Sequence, residues 1–287
     1  MMDAVITYVN GADPAWQALY AAHGGSEPAK RFRDWGTLKY LILGIRKYMP
    51  FIDKVYLVVA LESQVPAEVA GDVTVVLHKD IIPAKFLPTF NSTTIEMFLH
   101  RIPGLSEQFI YFNDDIFPLR PTSAEVFFPD GKPAKKMSRH MLAIGDYRQQ
   151  TLHSDRMARR AAGKRCALGF VRPQHSVTPL LKSACEEVLA KVGKEIEATL
   201  TPNRVPGNLN QYVFSDYMYF TGKAISHRIS QKHLSLATHT AAQVASFIAN
   251  PSADFACIND VQMSEERFLS DRKVILRAFE DKYPTDA

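Results

Sequence analysis

The first 120 residues alternate between short apolar runs and longer amphipathic segments. The run AVITYV (4–9) ends at the turn signal Asn10-Gly11 and predicts a strand. Three more runs predict strands because they are short, almost wholly apolar and rich in β-branched or aromatic residues: KVYLVVA (54–60), DVTVVLH (72–78) and QFIYFND (108–114).

The amphipathic segments between these runs predict helices. DPAWQALYAA (13–22) offers Asp13 as N-cap, followed by proline at the first helical position. RDWGTLKYLILGIRKYMP (33–50) has apolar residues at helical spacing, and NSTTIEMFLHRIPG (91–104) is expected to be a helix capped by Asn91 or Ser92. Strands that alternate with helices predict an α/β fold with a mainly parallel, Rossmann-like sheet flanked by helices.

The C-terminal half is predicted to be more helical. Segments 141–165, 178–200, 208–220 and 263–281 all have helical patterns, whereas EVFFPDGKPA (125–134) predicts a hairpin or a loop. We interpret residues 1–287 as a single catalytic domain. The change of pattern makes a subdivision near residues 120–130 the alternative.

Composition excludes several classes of protein. The chain has 287 residues, of which 46% are apolar and 22% charged, as in an ordinary soluble globular protein. A net charge of +4 suits an anionic substrate but is too weak to indicate a nucleic-acid partner. The three cysteines are scattered without a CxxC pair, so neither a disulfide framework nor a zinc cluster is indicated.

No targeting or membrane signal is evident in the sequence. The stretch MMDAVITYVNGADP lacks a basic region followed by a long apolar run, so it does not resemble a signal peptide. No apolar run approaches the roughly 20 residues that a transmembrane helix needs. We therefore expect a cytoplasmic protein without a transmembrane segment, and peripheral association with a membrane is compatible with this pattern.

The stretch FIYFNDDIF (109–117) carries the strongest chemical signal. Two adjacent carboxylates after a buried apolar run are costly unless a cation or a hydrogen-bonding ligand compensates them. Ligands of parallel sheets bind beyond the carboxyl ends of the strands, and magnesium prefers the oxygen ligands that these residues supply. A helix cap or a calcium-loop fragment is the alternative. In an extended strand Asp114 and Asp115 would point to opposite faces, and Asp115 is favoured because it shares a face with Asn113.

Three further stretches could contribute to a site, although each also has a purely structural interpretation. Asn10 and Gly11 in TYVNG could form an ordinary turn, and His175 in RPQHSVTP could be structural. Arg204 in PNRVPGN could be a surface loop arginine, and CIND (257–260) could be another strand exit. From the residues alone we expect an α/β protein that binds an anionic ligand, with a divalent ion as an option.

Longer stretches resemble the Stealth family of polysaccharide phosphotransferases, which includes the catalytic subunits of lysosomal N-acetylglucosamine-1-phosphotransferase. DAVITYVNGADPAW, RFRDWGTLKYLILGIRKYMPFIDKVYLVV and LPTFNSTTIEMFLHRIPGLSEQFIYFNDDIF are similar to its first two conserved regions. QHSVTPLLKS with NRVPGNLNQYVFSDYMYF resembles the third region, and FACIND resembles the fourth.

The resemblance implies a fold and a reaction. The fold would be a GT-A-like sheet, and the reaction would transfer a hexose or N-acetylhexosamine 1-phosphate from a UDP-sugar to a hydroxyl of an acceptor saccharide. UMP would leave and a phosphodiester would form, with Mg²⁺ or Mn²⁺ as cofactor, in capsular or exopolysaccharide synthesis beside a capsule assembly complex. The alternatives are a UDP-sugar-dependent glycosyltransferase that releases UDP, and a non-catalytic saccharide- or nucleotide-binding protein.

The resemblance also implies roles for individual residues. Arg204 would bind the diphosphate, and His175 would act as base toward the acceptor or as a phosphate ligand. The implied catalytic residues are Asp115, His175, Arg204 and Asp260, and the implied metal ligands are Asp114, Asp115 and Asp260. The implied substrate-binding residues are Asn10, Gly11, Arg33, Asp34, Asn91, Arg101, Asn113, Lys182 and Asn259.

Overall fold

The computed structural model describes residues 1–25 and 32–284 of the chain. Its strands are β1 (Met2–Thr7), β2 (Ile52–Val59), β3 (Thr74–Leu77), β4 (Gln108–Asn113), β5 (Ile116–Pro118), β6 (Met137–His140), β7 (Phe170–Pro173), β8 (Thr178–Leu181), β9 (Gln231–Ser235) and β10 (Phe255–Asn259). The predicted strands in the first 120 residues are thus confirmed, with ends displaced by a few residues.

Helices connect or follow most of these strands. They are α1 (Pro14–Ala22), α2 (Leu38–Tyr48), α3 (His78–Ile81), α4 (Ser92–Glu96), α5 (Asp146–Ala161), α6 (Lys182–Glu197), α7 (Tyr212–Phe220), α8 (Ala241–Ala249) and α9 (Glu265–Lys282). Asp13 caps α1 as predicted, because its carboxylate accepts a hydrogen bond from the backbone N–H of Ala15 at 2.9 Å. Within the described residues, no helix combines the length and apolar character that a bilayer crossing requires.

A mostly parallel sheet forms the centre of the α/β fold, as the sequence predicted. Its five strands lie in the order β3-β2-β1-β4-β8. The last strand, β8, runs antiparallel to β4, with Gln108 opposite Leu181 and Tyr111 opposite Thr178. Two smaller sheets have the order β5-β10-β9 and β6-β7.

The structure corrects two predicted helices. The helix expected over 91–104 ends at Glu96 and is followed by a 3₁₀ turn at Leu99–Arg101, and nearly every side chain from Asn91 to His100 is buried. A fully buried segment lacks the polar face that a longer surface helix would present. The helix expected to start at residue 178 starts at Lys182, because Thr178–Leu181 pairs with β4 as a terminal strand of the sheet. Pro179 is tolerated there, since a strand at a sheet edge can lack a backbone donor.

The chain divides into two compact units. Unit 1 comprises Met1–Val5, Val76–Tyr111 and Ala124–Ile229. Its core includes the packed helices α5, α6 and α7. Unit 2 comprises Ile6–Val75, Phe112–Ser123 and Ser230–Ala287, and in its core the ring of Phe279 stacks on Tyr40 with 5.2 Å between centroids.

Candidate functional site

The two adjacent carboxylates lie in a turn of unit 2 between β4 and β5. The expectation that Asp114 and Asp115 point to opposite faces of a strand was therefore wrong, because β4 ends at Asn113. The chain then turns back to pair with β10. In this arrangement the backbone carbonyl of Asp115 accepts a hydrogen bond from the N–H of Ile258 at 2.9 Å, and its Oδ2 accepts one from the thiol of Cys257 at 3.4 Å.

Asp115 has an unsatisfied oxygen that fits a cation. Its Oδ1 is buried and has no hydrogen-bond partner among the described residues, which is costly for a carboxylate. Asp114 has surface open to water, but close packing around its carboxyl raises the pKa to about 7, and the charge of Asp115 adds to this effect. A hard divalent cation would relieve both costs, so the donor set fits magnesium or manganese.

Asp260 follows β10 and makes an ion pair. Its Oδ2 lies 3.5 Å from Nη1 of Arg33, and each side chain is only 18% exposed. Its Oδ1 accepts a hydrogen bond from the N–H of Val261 at 2.6 Å. The guanidinium of Arg33 also lies over the ring of Phe268, 4.6 Å from the centroid. Both oxygens of Asp260 thus have a partner, and each keeps a lone pair that is open to a further ligand.

A cavity of about 320 Å³ lies in unit 2 beside the end of β1. Tyr8, Asn10 and Asp34 line it together with Gln64 and Arg272. Asp34 lies near the hydroxyl of Tyr8, and burial followed by the charge of Asp34 raises the pKa of Tyr8 well above its usual value. The cavity therefore offers an aromatic ring, amide groups and charges of both signs to a small polar ligand.

The loop between β1 and α1 forms a tight turn at Asn10 and leaves no room for a side chain at position 11. The side chain of Asn10 accepts a hydrogen bond from the N–H of Ala12 at 2.9 Å, which closes a turn. The N–H of Gly11 donates to the carbonyl of Phe32 at 2.8 Å. A Cβ at position 11 would lie 2.3 Å from that carbonyl oxygen, so only glycine fits without a shift of the backbone.

Arg204 lies in a loop of unit 1 that α4 holds in place. Its Nη2 donates to the hydroxyl of Ser92 at the start of α4. Asn91, which caps α4, donates through Nδ2 to Oδ1 of Asn208 at 2.9 Å and to the carbonyl of Thr201 at 3.2 Å. Asn208 Oδ1 in turn accepts from the N–H of Val205 at 2.8 Å. These hydrogen bonds, of which the one between Asn91 and Asn208 is buried, hold the loop on both sides of the arginine.

Glu96 fixes the end of the same loop. Its carboxylate accepts hydrogen bonds from the N–H of Gln211 at 2.8 Å and the hydroxyl of Tyr111 at 3.4 Å. Burial raises the pKa of Glu96 to about 7, although these hydrogen bonds and the charges of Arg204 and Lys135 oppose the rise. The sequence analysis did not identify Glu96 as part of the site.

His175 lies in a loop between β7 and β8 that a buried lysine supports. The ammonium of Lys135 donates to the carbonyls of Ser176 and Val177 at 3.0 and 3.2 Å and contacts Thr178 Oγ1 at 2.5 Å. Lys135 is 2% exposed, and burial lowers its pKa to about 7 against the opposing charge of Asp216. The backbone immediately after His175 is thus fixed by a side chain that no local motif identifies.

Helix α5 contacts both of these loops. The ring of Tyr147 meets the ring of His175 edge-on, with 6.2 Å between centroids. One turn later, Gln150 Nε2 donates to the carbonyl of Val205 at 2.9 Å, next to Arg204. The structure therefore brings the surroundings of His175 and Arg204 together within unit 1.

The structure also places three other residues that were predicted to bind substrate: Arg101, Lys182 and Asn259. Arg101 and Lys182 both lie near the buried His100, where burial and then their charges lower the pKa of His100 to about 4. Asn259 is the last residue of β10 and pairs with Ser235 of β9. Their roles in binding remain predictions.

Comparisons with known proteins identify the family. The family model described as Stealth protein CR2, conserved region 2, matches residues 31–136. A capsular polysaccharide phosphotransferase of Actinobacillus pleuropneumoniae, cps1A, is 36% identical over 247 residues, which cover 78% of this chain and 67% of that protein.

Two further proteins extend the comparison. An exopolysaccharide phosphotransferase of Streptomyces coelicolor is 30% identical over 92% of this chain and 30% of its own length. Among solved structures, the galactosyltransferase LgtC in complex with donor and acceptor sugar analogs matches with a TM-score of 0.48 and 9% identity, covering 100% of this chain and 98% of that one. The chain spans about two thirds of the length of the Actinobacillus relative. On this identity and coverage, the chain belongs to the Stealth family.

Proposed function

We propose that this protein transfers a sugar 1-phosphate from a UDP-sugar to a hydroxyl of an acceptor saccharide, forming a phosphodiester and releasing UMP. The observation that carries this proposal is the alignment over 78% of the chain with a protein named capsular polysaccharide phosphotransferase. We further propose that the enzyme acts in the cytoplasm, in capsular or exopolysaccharide synthesis beside a capsule assembly complex.

The proposed reaction breaks one P–O bond, forms another and transfers one proton. The acceptor oxygen attacks the phosphorus next to the donor sugar, and the bond from that phosphorus to the oxygen bridging the two phosphates breaks. The acceptor hydroxyl loses its proton to a base, and UMP leaves with the bridging oxygen. Charge on the phosphates must be balanced while this happens, which favours a site with cationic side chains and a divalent ion.

Asp115 is the residue best suited to hold such an ion. Its Oδ1 is buried without a hydrogen-bond partner among the described residues, and Asp114 adds a second carboxylate in the same turn. Bound magnesium or manganese would balance phosphate charge as a Lewis acid. Asp260, which is paired with Arg33, is assigned to orienting the acceptor hydroxyl or to a metal contact.

The cavity beside Tyr8, Asn10 and Asp34 is assigned to the nucleotide end of the donor. Its volume of about 320 Å³ and its polar lining suit a part of a nucleotide. Gly11, next to Asn10, lets the backbone of this loop pack closely against the carbonyl of Phe32.

Arg204 and His175 are assigned to the phosphates and the acceptor. The fork of an arginine can bind two phosphate oxygens at once, and the Ser92 contact together with the Asn91 hydrogen bonds holds Arg204 in one orientation. His175 is assigned as base toward the acceptor hydroxyl or as a phosphate ligand. Tyr147 and the Lys135-supported backbone fix its position.

Product analysis with several UDP-sugars tests the proposal. Purified enzyme, Mg²⁺ and a saccharide acceptor should release UMP in step with product, and Arg204→Ala should suppress this release. Arg277→Ala, at an exposed arginine of α9, serves as the matched control and should keep the activity of the wild type. Stoichiometric UDP would contradict the proposal and support a glycosyltransferase instead.

A further inference from the structure

Two exposed segments of unit 1 lie side by side at one end of the β6-β7 sheet. Residues 141–145 follow β6 and residues 163–169 precede β7, while His140 pairs with Phe170. A Cβ at Gly169 would lie 2.4 Å from the carbonyl oxygen of His140 and 2.9 Å from the sulfur of Met141. The two segments are therefore in direct contact and form one surface.

The centre of this surface is strongly apolar. It consists of Met141, Leu142, Ile144 and Leu168, which are 63%, 67%, 73% and 91% exposed and which we call the apolar tip. A single exposed leucine would need no explanation, but four large aliphatic side chains on adjoining segments form a patch typical of an interaction site.

Exposed cations lie on the two segments that carry the apolar tip or within four residues of them. Arg139, Arg148, Lys164 and Arg165, which we call the basic rim, are all exposed. None of these four is paired with a carboxylate within residues 1–25 and 32–284. Over residues 139–172 there are eight Lys and Arg but only two Asp, a net charge of +6, whereas the whole chain carries +4. The positive charge of the chain is thus concentrated in the part of the sequence that carries the tip.

We propose that the apolar tip and basic rim dock this protein onto an anionic phospholipid bilayer. Aliphatic side chains can enter the boundary between headgroups and acyl chains, and the surrounding cations bind the lipid phosphates. A polyanionic saccharide or nucleic acid would use the rim equally well, but it would leave the four aliphatic side chains in water. The aliphatic tip therefore favours lipid.

The docking surface adjoins the surroundings of His175. Tyr147, three residues after Ile144, holds the edge-on contact with His175 described above. Docking on a bilayer does not depend on the transfer reaction, so membrane binding and catalysis are tested separately.

Vesicle binding of the full chain is the direct test. The protein is sedimented with vesicles of phosphatidylcholine alone, or of phosphatidylcholine containing about 30% phosphatidylglycerol. We expect binding to the anionic vesicles, weaker binding at high salt, and little binding to the neutral ones. An environment-sensitive dye on Cys166 reports insertion from within the surface, because Cys185 and Cys257 are buried.

Two matched variants distinguish binding through this surface from nonspecific binding to vesicles. The combination Leu142→Ser, Ile144→Ser, Lys164→Gln and Arg165→Gln should lower partitioning at least about tenfold, since each cation alone contributes roughly fivefold. The control applies the same changes to exposed residues of α9: Leu269→Ser, Val274→Ser, Lys273→Gln and Arg277→Gln. The control should bind like the wild type, and unchanged thermal unfolding should show that both variants fold.

Several results would overturn the inference. The first is absent binding to anionic vesicles, and the second is equal binding by the surface variant and the wild type. The third is a dye on Cys166 whose emission still reports an aqueous environment when the protein is bound. Binding to heparin with the same affinity and salt dependence as to vesicles would assign the surface to soluble polyanions and reject the lipid.

Discussion

Replacing Glu96 with glutamine should change how the stability of the protein depends on pH. Glu96 is 7% exposed, and its two carboxylate oxygens accept hydrogen bonds from Gln211 and Tyr111. Glutamine keeps the shape of the side chain, one acceptor and a partner for the tyrosine hydroxyl. It removes the ability to ionise and turns the other acceptor into a donor that can reach the tyrosine oxygen, so the pH dependence of the difference reports the cost of the buried charge.

The magnitude follows from the pKa of Glu96. Burial raises this pKa from 4.5 to about 7. Between these pH values the folded chain keeps a proton that the unfolded chain has released, so this group lowers the free energy of unfolding as pH rises through the window. A difference of about 2.5 pH units corresponds to at most about 3 kcal/mol. From pH 4 to pH 8, Glu96→Gln should therefore gain up to about 3 kcal/mol relative to the wild type.

Urea unfolding of both proteins at several pH values between 4 and 8 measures this gain. Glu197→Gln, at an exposed glutamate paired with Lys85, is the control and should stay within about 0.5 kcal/mol of the wild type throughout. Curves for Glu96→Gln and wild type that run parallel across this range would refute the reasoning, because they would show that the carboxyl has the same pKa in the folded and the unfolded chain.

The remaining predictions concern the loops and the cation. Arg204→Ala should lower turnover by about 10²–10³-fold with unchanged thermal unfolding, and near wild-type rates would remove the arginine from the mechanism. Asn91→Ala should accelerate hydrogen exchange at the amide of Val205, whose acceptor Asn208 loses its partner; unchanged exchange would show that the loop is held otherwise. Lys135→Met should lower turnover by about 10²-fold in a folded protein by releasing the loop of His175, with substrate KM nearly unchanged, and full turnover would exclude this positioning role. EDTA should suppress activity and Mg²⁺ or Mn²⁺ should restore it, whereas full activity without metal would contradict cation binding.

Much of the fold could be predicted because the local signals agree with the tertiary structure. The strands β1 to β4 are short apolar runs, and α1 has both its N-cap Asp13 and proline at its first position. The segment 91–104 was less predictable, since burial on all sides removes the helical periodicity. Thr178–Leu181 joins a sheet by pairing with a strand some 70 residues earlier in the chain. No local sequence pattern indicates such a pairing.

The candidate site was predicted unevenly for a related reason. Asp114 and Asp115 could be predicted from the sequence because carboxylates directly after a buried apolar run carry a desolvation cost. Glu96 and Lys135 could not be predicted in this way. Glu96 contacts Gln211 and Lys135 contacts the backbone after His175, and both partners are distant in the sequence. Cap and turn residues such as Asn91 can be recognised as caps, but their contacts to a second loop require the folded structure.

The most direct test of the central claim follows the phosphorus of the donor. A UDP-sugar with radioactive phosphorus in the phosphate next to the sugar is incubated with enzyme, Mg²⁺ and acceptor, and product and nucleotide are then separated. The account predicts that the label appears in the saccharide product, where phosphorus NMR shows a phosphodiester, and that the nucleotide is unlabelled UMP. Label recovered in UDP, together with a product that contains no phosphorus, would contradict it.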